Sequence, residues 1–353
     1  MDINHNSETE SVAFQEFNSA ERGAKKSVEV NGKKWEYLEY GNPDGIPILN
    51  VHGWLGASAE GNELLSKALT GEVQNSVGLQ NLEENVPKGA QKVKDLVGEI
   101  KGKYRIIAPQ LPGFGKSEAI DDPTLDNMAD ELSVFSQAVD MDKPVVFGSS
   151  MGGILGIKLA ARHPDALRAL IIQGTMTQPT DMNSREYILS RVATFPPIKM
   201  AVENIPFLAN FAKERLFKPG IQGNKDFKLA TPENQELMLR DVGNTDPKTA
   251  LSTLRGIGSH LEGDIDRVTV PVVVLDGTAG DLVPIVKSKD IAGRFHRQDE
   301  DNRENLRKNI IDRRTMYFQI GGVAGEHGHS VINSAPEEVA VLINHAVSNY
   351  FKV

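Results

Sequence analysis

Short, mostly apolar runs alternate with helical periodicities along this chain, and that alternation constrains its fold more than any other feature. The runs cover residues 46–51, 104–108, 144–147, 167–172, 270–275 and 316–320. Each is far too short to span a bilayer and reads as a strand buried on both faces. Between them, residues 125–139 and 154–162 carry the spacing of helices that bury one side. Strands joined through helices cannot pair as hairpins, so the pattern predicts an α/β, doubly wound architecture with a mostly parallel sheet. The amino end differs. Residues 28–30 and 35–40 flank Asn31-Gly32, a pair that accepts the positive φ values of a type I′ turn, so the sheet is expected to open on a hairpin.

With 353 residues the chain has room for one large domain and several additions. Residues 1–26 are polar and lack the apolar core of a signal peptide, so they read as a flexible tail on a cytoplasmic protein. The core then covers residues 27–175 and 268–353. Residues 64–103 are long for a connection, and Val93, Leu96, Val97 and Ile100 fall on one helix face within them. Residues 176–267 hold no convincing buried strand but show helical patterns at 187–192, 198–211 and 233–242, which predicts a helical insertion. Residues 294–314 are dense in both charges and read as a solvated helix with Leu306, Ile310 and Ile311 as its apolar stripe.

Lys and Arg number 39 against 48 Asp and Glu, a net charge of -9, which argues against a nucleic-acid partner held through phosphates. No apolar run supports membrane insertion. The absence of cysteine excludes disulfides, thiolate nucleophiles and cysteine-type zinc sites.

Phe147-Gly148-Ser149-Ser150-Met151-Gly152-Gly153 follows a predicted strand and opens a predicted helix. It fits Gly-x-Ser-x-Gly only with Ser150 at the centre. Such a turn is too tight for side chains at the two glycines, and it leaves the serine oxygen exposed at the top of the sheet. The pattern alone arises by chance roughly 0.1 to 0.2 times in a chain of this length, so its weight comes from the strand–turn–helix context.

A serine nucleophile needs a base, and in a nucleophile-elbow fold the order along the chain is serine, acid, histidine. His5 and His52 come too early; His163, His260, His296 and His345 fall at a helix end, in the helical insertion, in the charged segment and inside the final helix. That leaves His329, with His327 as the alternative, in the glycine-rich stretch after the last strand, at the carboxyl edge where open α/β sheets bind ligands. Pro336 then starts the final helix. The acid that orients the histidine should follow a strand between Ser150 and His329. Asp281 is the first choice, out in the loop, and Asp276 at the strand end is the alternative, suited also to holding loop backbone. Two backbone amides are candidates for the oxyanion hole, each worth roughly 3 to 4 kcal/mol. They are Met151, directly after the nucleophile, and Trp54 in His52-Gly53-Trp54-Leu55-Gly56. The Trp54 indole suits either an acyl pocket or plain packing, and His52 suits a loop-orienting role.

Taken together, His52-Gly53-Trp54, Leu111-Pro112-Gly113-Phe114-Gly115-Lys116-Ser117, Gly148 to Gly153, Gly277 to Pro284 and Gly328-His329 resemble the α/β-hydrolase superfamily, in its branch with a helical cap. The resemblance implies an eight-stranded sheet, a cap formed by residues 176–267 after strand 6, and Ser150, Asp281 and His329 as the triad. One position departs: relatives usually carry aspartate where this chain has Gln110. Haloalkane dehalogenases and epoxide hydrolases of this fold use aspartate at the elbow, so the serine sets the chain apart from both.

The leading expectation is therefore a serine carboxylesterase acting on a small, apolar ester, with no cofactor and no metal. Carbon–carbon bond cleavage or elimination by the same triad is the second reading, since the Gly-Ser-Ser-Met-Gly-Gly elbow is similar to that of carbon–carbon hydrolases. A ligand receptor with little turnover is the third.

Overall fold

A computed structural model describes residues 23–55, 61–178, 191–192, 194–223, 227–228, 232–257, 259–277, 290–295, 315–320 and 331–351. The strands are β1 (Ala24–Val30), β2 (Lys33–Gly41), β3 (Ile46–Val51), β4 (Tyr104–Pro109), β5 (Val145–Ser149), β6 (Ala169–Gln173), β7 (Val272–Gly277) and β8 (Thr315–Ile320). They form one 8-stranded sheet in the order β1-β2-β4-β3-β5-β6-β7-β8. The first two pairings are antiparallel and all the others parallel. At the opening hairpin Asn31 and Gly32 have φ 49 and 74, as the expected turn requires.

Alternation along each inner strand explains why these strands read as continuous apolar runs. Leu49, Val51, Ile107, Val146, Leu170 and Ile172 face one side, where α4 (Leu125–Ala138) and α5 (Met151–Arg162) pack. Their neighbours Ile48, Ile106, Phe147 and Ile171 face the other, against α1 (Glu63–Leu69) and the long carboxyl-terminal helix Pro336–Asn349. Helices thus cover both faces, as the doubly wound reading expects. On the first face Trp35 stacks on Phe135 with ring centroids 5.0 Å apart, and Tyr37 meets the same ring edge-on.

Three details differ from expectation. Strand β1 begins at Ala24, so residues 24–26 join the sheet, and Lys26 forms an ion pair with Glu39 on β2. The long connection at 64–103 holds two helices, α1 and α2 (Val77–Asn85), before α3 (Pro87–Gly98), on which the predicted stripe begins. Pro87 opens α3 where proline's missing N–H costs nothing, and Val97 and Ile100 are the buried members of the predicted stripe. The pattern at 198–211 is broken into α6 (Pro196–Asn204) and α7 (Pro206–Ala212), because Pro206 disfavours a helical Ile205 and cannot bond back into the preceding turn.

Between β6 and β7 the described chain continues helical after α7: a π-helical turn (Lys213–Phe217), α8 (Lys218–Gly223), α9 (Pro232–Asn244), α10 (Pro247–Ile257) and α11 (Glu262–Ile265). Lys158 on α5 ties this segment to the sheet's helices. It bonds Asp126 on α4 at 2.6 Å and Asp264 on α11 at 2.9 Å. After β8 come α12 (Val331–Ser334) and α13 (Pro336–Asn349), the latter starting at the proline expected to open it. Of the charged segment 294–314, residues 294 and 295 are described, with Phe295 buried; Leu306, Ile310 and Ile311 lie outside the described residues. No helix among the described residues is long and apolar enough to cross a membrane.

Candidate active site

Strand β5 ends at Ser149 and α5 begins at Met151, so the whole change of direction falls on Ser150. Its backbone sits at φ 53 and ψ -115, a conformation that costs a side-chain-bearing residue about 1–3 kcal/mol. Neighbours hold it there. The Ser150 N–H donates to the Gln173 carbonyl at 2.8 Å, and the Thr175 hydroxyl donates to the Ser150 carbonyl at 3.3 Å. The Ser149 hydroxyl is engaged, donating to the Gln173 side chain at 2.9 Å, while Ser150 is half-buried.

Both glycines of the motif mark close backbone approaches. A Cβ on Gly148 would run into the Gly152 carbonyl, and one on Gly152 into the carbonyls of Val51 and His52. The second contact matters most, since it presses the start of α5 against the end of β3. Register agrees, with Val51 opposite Gly148. The Met151 N–H lies in the first turn of α5, where amides have no intrahelical acceptor and the helix dipole favours negative charge.

The loop after β3 is held by His52, which is fully buried. Its Nδ1 lies 2.7 Å from the Gly53 carbonyl, and its Nε2 accepts the Leu111 N–H at 3.1 Å. An acceptor at Nε2 puts the single ring proton on Nδ1, so the imidazole is neutral. Burial pushes its pKa down to about 4, which keeps it neutral at ordinary pH, and its acceptor nitrogen is already occupied by the Leu111 N–H. The Gly53 carbonyl and the Trp54 N–H belong to one trans peptide. Pinning the carbonyl from one side therefore fixes the direction of the N–H on the other.

Trp54 reaches outward from this loop. Its indole N–H donates to the Ala250 carbonyl and the Thr253 hydroxyl of α10, both at 3.1 Å, and its ring meets Phe217 edge-on at 5.7 Å. The indole thus contacts the helical segment between β6 and β7. The Leu111–Ser117 loop is bound to the same helix. The Gly113 carbonyl accepts the Asp246 N–H at 2.7 Å, and Gly113 lies against the Thr249 side chain. Gln110 is buried and packs its amide against Gly115.

Of the acid candidates, Asp276 is buried at the end of β7 and accepts the Gly277 N–H at 2.9 Å. Asp281, His329 and the alternative His327 lie outside the described residues. What can be placed is where their loops leave the sheet. Ser149, Gln173, Leu275 and Phe318 stand in register across β5, β6, β7 and β8. The chain segments carrying Ser150, Asp281 and His329 therefore all leave one edge of the sheet, from β5, from β7 two places along and from its neighbour β8, each step between adjacent strands being roughly 4.8 Å. The segment with His329 ends at Val331, which is buried at the start of α12. His163 caps the end of α5 beside Asp130 and His345 is exposed on α13, both away from the elbow's edge as their positions in the chain suggest. Gln173 and Thr175 were not singled out in the sequence. The signal was present in two polar residues closing an apolar strand at the carboxyl edge.

A model of the alpha/beta hydrolase fold matches residues 46–196. Haloalkane dehalogenase 2 of Mycobacterium tuberculosis is 26% identical over 134 residues, 36% of this chain and 44% of that protein, so the chain spans less than half of that relative's length. Pimeloyl-acyl-carrier protein methyl ester esterase of Aromatoleum aromaticum is 27% identical over 271 residues, 73% of this chain and 94% of that protein. Among solved structures, a thermophilic esterase from Thermogutta terrifontis superposes with a TM-score of 0.60 at 18% identity, covering 93% of this chain and 100% of that one. A family match that starts at β3 and runs through the elbow, on a sheet of this strand order, gives the chain an α/β-hydrolase fold.

Proposed function

We propose that the protein is a serine hydrolase that cleaves a carboxylic ester through an acyl-enzyme. The observation that carries this reading is Ser150, half-buried and held at φ 53 between β5 and α5, with its N–H and carbonyl both bonded. Strain of this kind persists where the surrounding structure holds it for a purpose.

In this mechanism Ser150 Oγ attacks the ester carbonyl while His329 takes its proton. Asp281 holds His329 in the tautomer that accepts the proton and stabilises the imidazolium. The Met151 and Trp54 amides receive the developing oxyanion. Collapse expels the alcohol, which takes the proton back from His329. Water then attacks the acyl-enzyme by the same route, with His329 again as base, and the carboxylic acid leaves. Residues 176–267 act as a cap over the elbow, between the two parts of the core at 27–175 and 268–353. A small, apolar ester is the substrate class. The ester reading gains support from the methyl ester esterase, whose likeness runs through most of both chains.

The test is hydrolysis of activated esters of graded acyl length by the wild type and Ser150→Ala. The expected outcome is turnover that falls at least a thousandfold in the variant, which keeps only what the oxyanion hole and binding supply. Retained activity in Ser150→Ala would overturn the assignment. Poor ester turnover beside rapid cleavage of a ring-fission diketone would favour carbon–carbon hydrolysis. Binding without turnover of either would favour a receptor.

A further inference from the structure

One peptide unit in the site is clamped from two sides. On the core side, the Gly53 carbonyl is bonded by buried His52, which is itself bonded to Leu111. On the other side, the residue that supplies the N–H of that peptide sends its indole into the helical segment, with both contacts of the indole N–H at 3.1 Å and falling on α10. Phe217, on the π-helical turn, presses on the same ring. Helix α10 is in turn anchored where it begins: Asp246 accepts from Thr249 N–H at 2.7 Å, and the Asp246 N–H is bound to the Gly113 carbonyl.

A tryptophan used only as packing would not need both acceptors on one helix turn. Nor would a pocket wall, whose indole N–H would face the substrate. Here Thr253 serves the indole while its own hydroxyl donates to the Thr249 carbonyl at 2.7 Å, so its oxygen is oriented as an acceptor. Leu55, the next residue, sits at φ 27, so the loop bends sharply just beyond the tethered side chain. Movement of α10 would pull on the Trp54 side chain and so on the amide two bonds from it.

From this geometry we infer that Trp54 is a positioning residue through which the helical segment between β6 and β7 sets the oxyanion-binding amide. The inference rests on the proposed hydrolase reading and adds a regulation to it: the oxyanion site is aligned only while α10 is seated. A substrate that seats α10 is processed, and one that displaces it is bound but turned over slowly.

Two variants test this, Trp54→Phe and Thr253→Val, with circular dichroism confirming that each is folded. Trp54→Phe keeps the ring and loses the N–H. Its kcat should fall about tenfold, less than the roughly hundredfold or more that loss of an oxyanion donor costs, with KM changed by less than about twofold. The fall should be the same for acetyl and octanoyl esters, because the oxyanion is common to both. Thr253→Val should lower kcat in the same direction by about threefold, and the double variant should be no slower than Trp54→Phe alone. A rise in KM that grows with acyl length, or additive losses in the double variant, would overturn the inference.

A second measurement is independent of catalysis. Trp35 is fully buried, so acrylamide quenching reads Trp54, the chain's other tryptophan. Quenching should increase in Thr253→Val; unchanged quenching would contradict the tether even if Ser150→Ala showed that the nucleophile had been misassigned.

Discussion

At the residue scale, the site depends on backbone contacts that tolerate no side chain. Gly152 lets the first turn of α5 rest on the carbonyls of Val51 and His52. Gly152→Ala should therefore force the elbow and the loop after β3 apart, at about 1–3 kcal/mol. The expected result is a lower melting temperature together with a loss of ester turnover; unchanged values of both would contradict the packing described. His52 offers a pH test. Its pKa is lowered from 6.5 to about 4 by burial, so the folded state resists protonation while the unfolded state does not. Above pH 6.5 the group contributes a constant amount. As pH falls toward 4 the unfolded chain gains a proton that the folded chain cannot, and stability is lost by up to about 3 kcal/mol. Replacement by Gln can mimic the neutral ring's donor and acceptor without titrating. Denaturant unfolding of His52→Gln at pH 7 and pH 4.5 should show a pH-dependent loss about 2–3 kcal/mol smaller than in the wild type. Equal losses would show that His52 is not the group concerned.

Residues of this kind were legible to different degrees. The frame of Gly-x-Ser-x-Gly places Ser150 without ambiguity, because the close approaches it needs leave only glycine at positions 148 and 152. His52 was legible as a loop-orienting residue, although its bond to Leu111 joins positions far apart in the chain. The partners of the Trp54 indole were not legible. Ala250 and Thr253 lie some two hundred positions away, and a carbonyl acceptor leaves no mark on residue identity.

At the scale of elements, the strands were the most legible part, because burial on both faces demands unbroken apolar runs that local sequence displays. Helix boundaries were less so. The break at Ile205 was written in Pro206, but the apolar pattern runs across it, and periodicity alone favours one longer helix. Residues 64–103 hid three short helices for a related reason, since their buried faces are completed by α13 from the other end of the chain. One element-scale contact carries a prediction. Lys158 is 10% exposed and Asp264 12%, so their pair on α5 and α11 is largely out of water. Lys158→Met should leave Asp264 poorly compensated and lower unfolding free energy by about 2 kcal/mol, somewhat below the cost for a fully buried pair, since Arg267 also meets Asp264. Adding Asp264→Asn should recover part of that loss. Urea unfolding of the three variants checks this, and strictly additive losses would argue against a coupled pair.

For the whole molecule, the sheet order determines what can meet. Because β5, β7 and β8 run parallel and end in register, segments separated by more than a hundred residues leave the sheet at one edge. The serine, aspartate and histidine of the proposed triad, far apart in the chain, depend on that topology if they are to act together. The most direct test of the proposed triad is covalent. Incubation with a fluorophosphonate, followed by peptide mapping, should place one adduct per chain on Ser150. Ser150→Ala should show none, and His329→Ala should react at least about a hundredfold more slowly, since the base that activates the serine is gone. An adduct on another residue, or labelling of Ser150 at an unchanged rate without His329, would contradict the account.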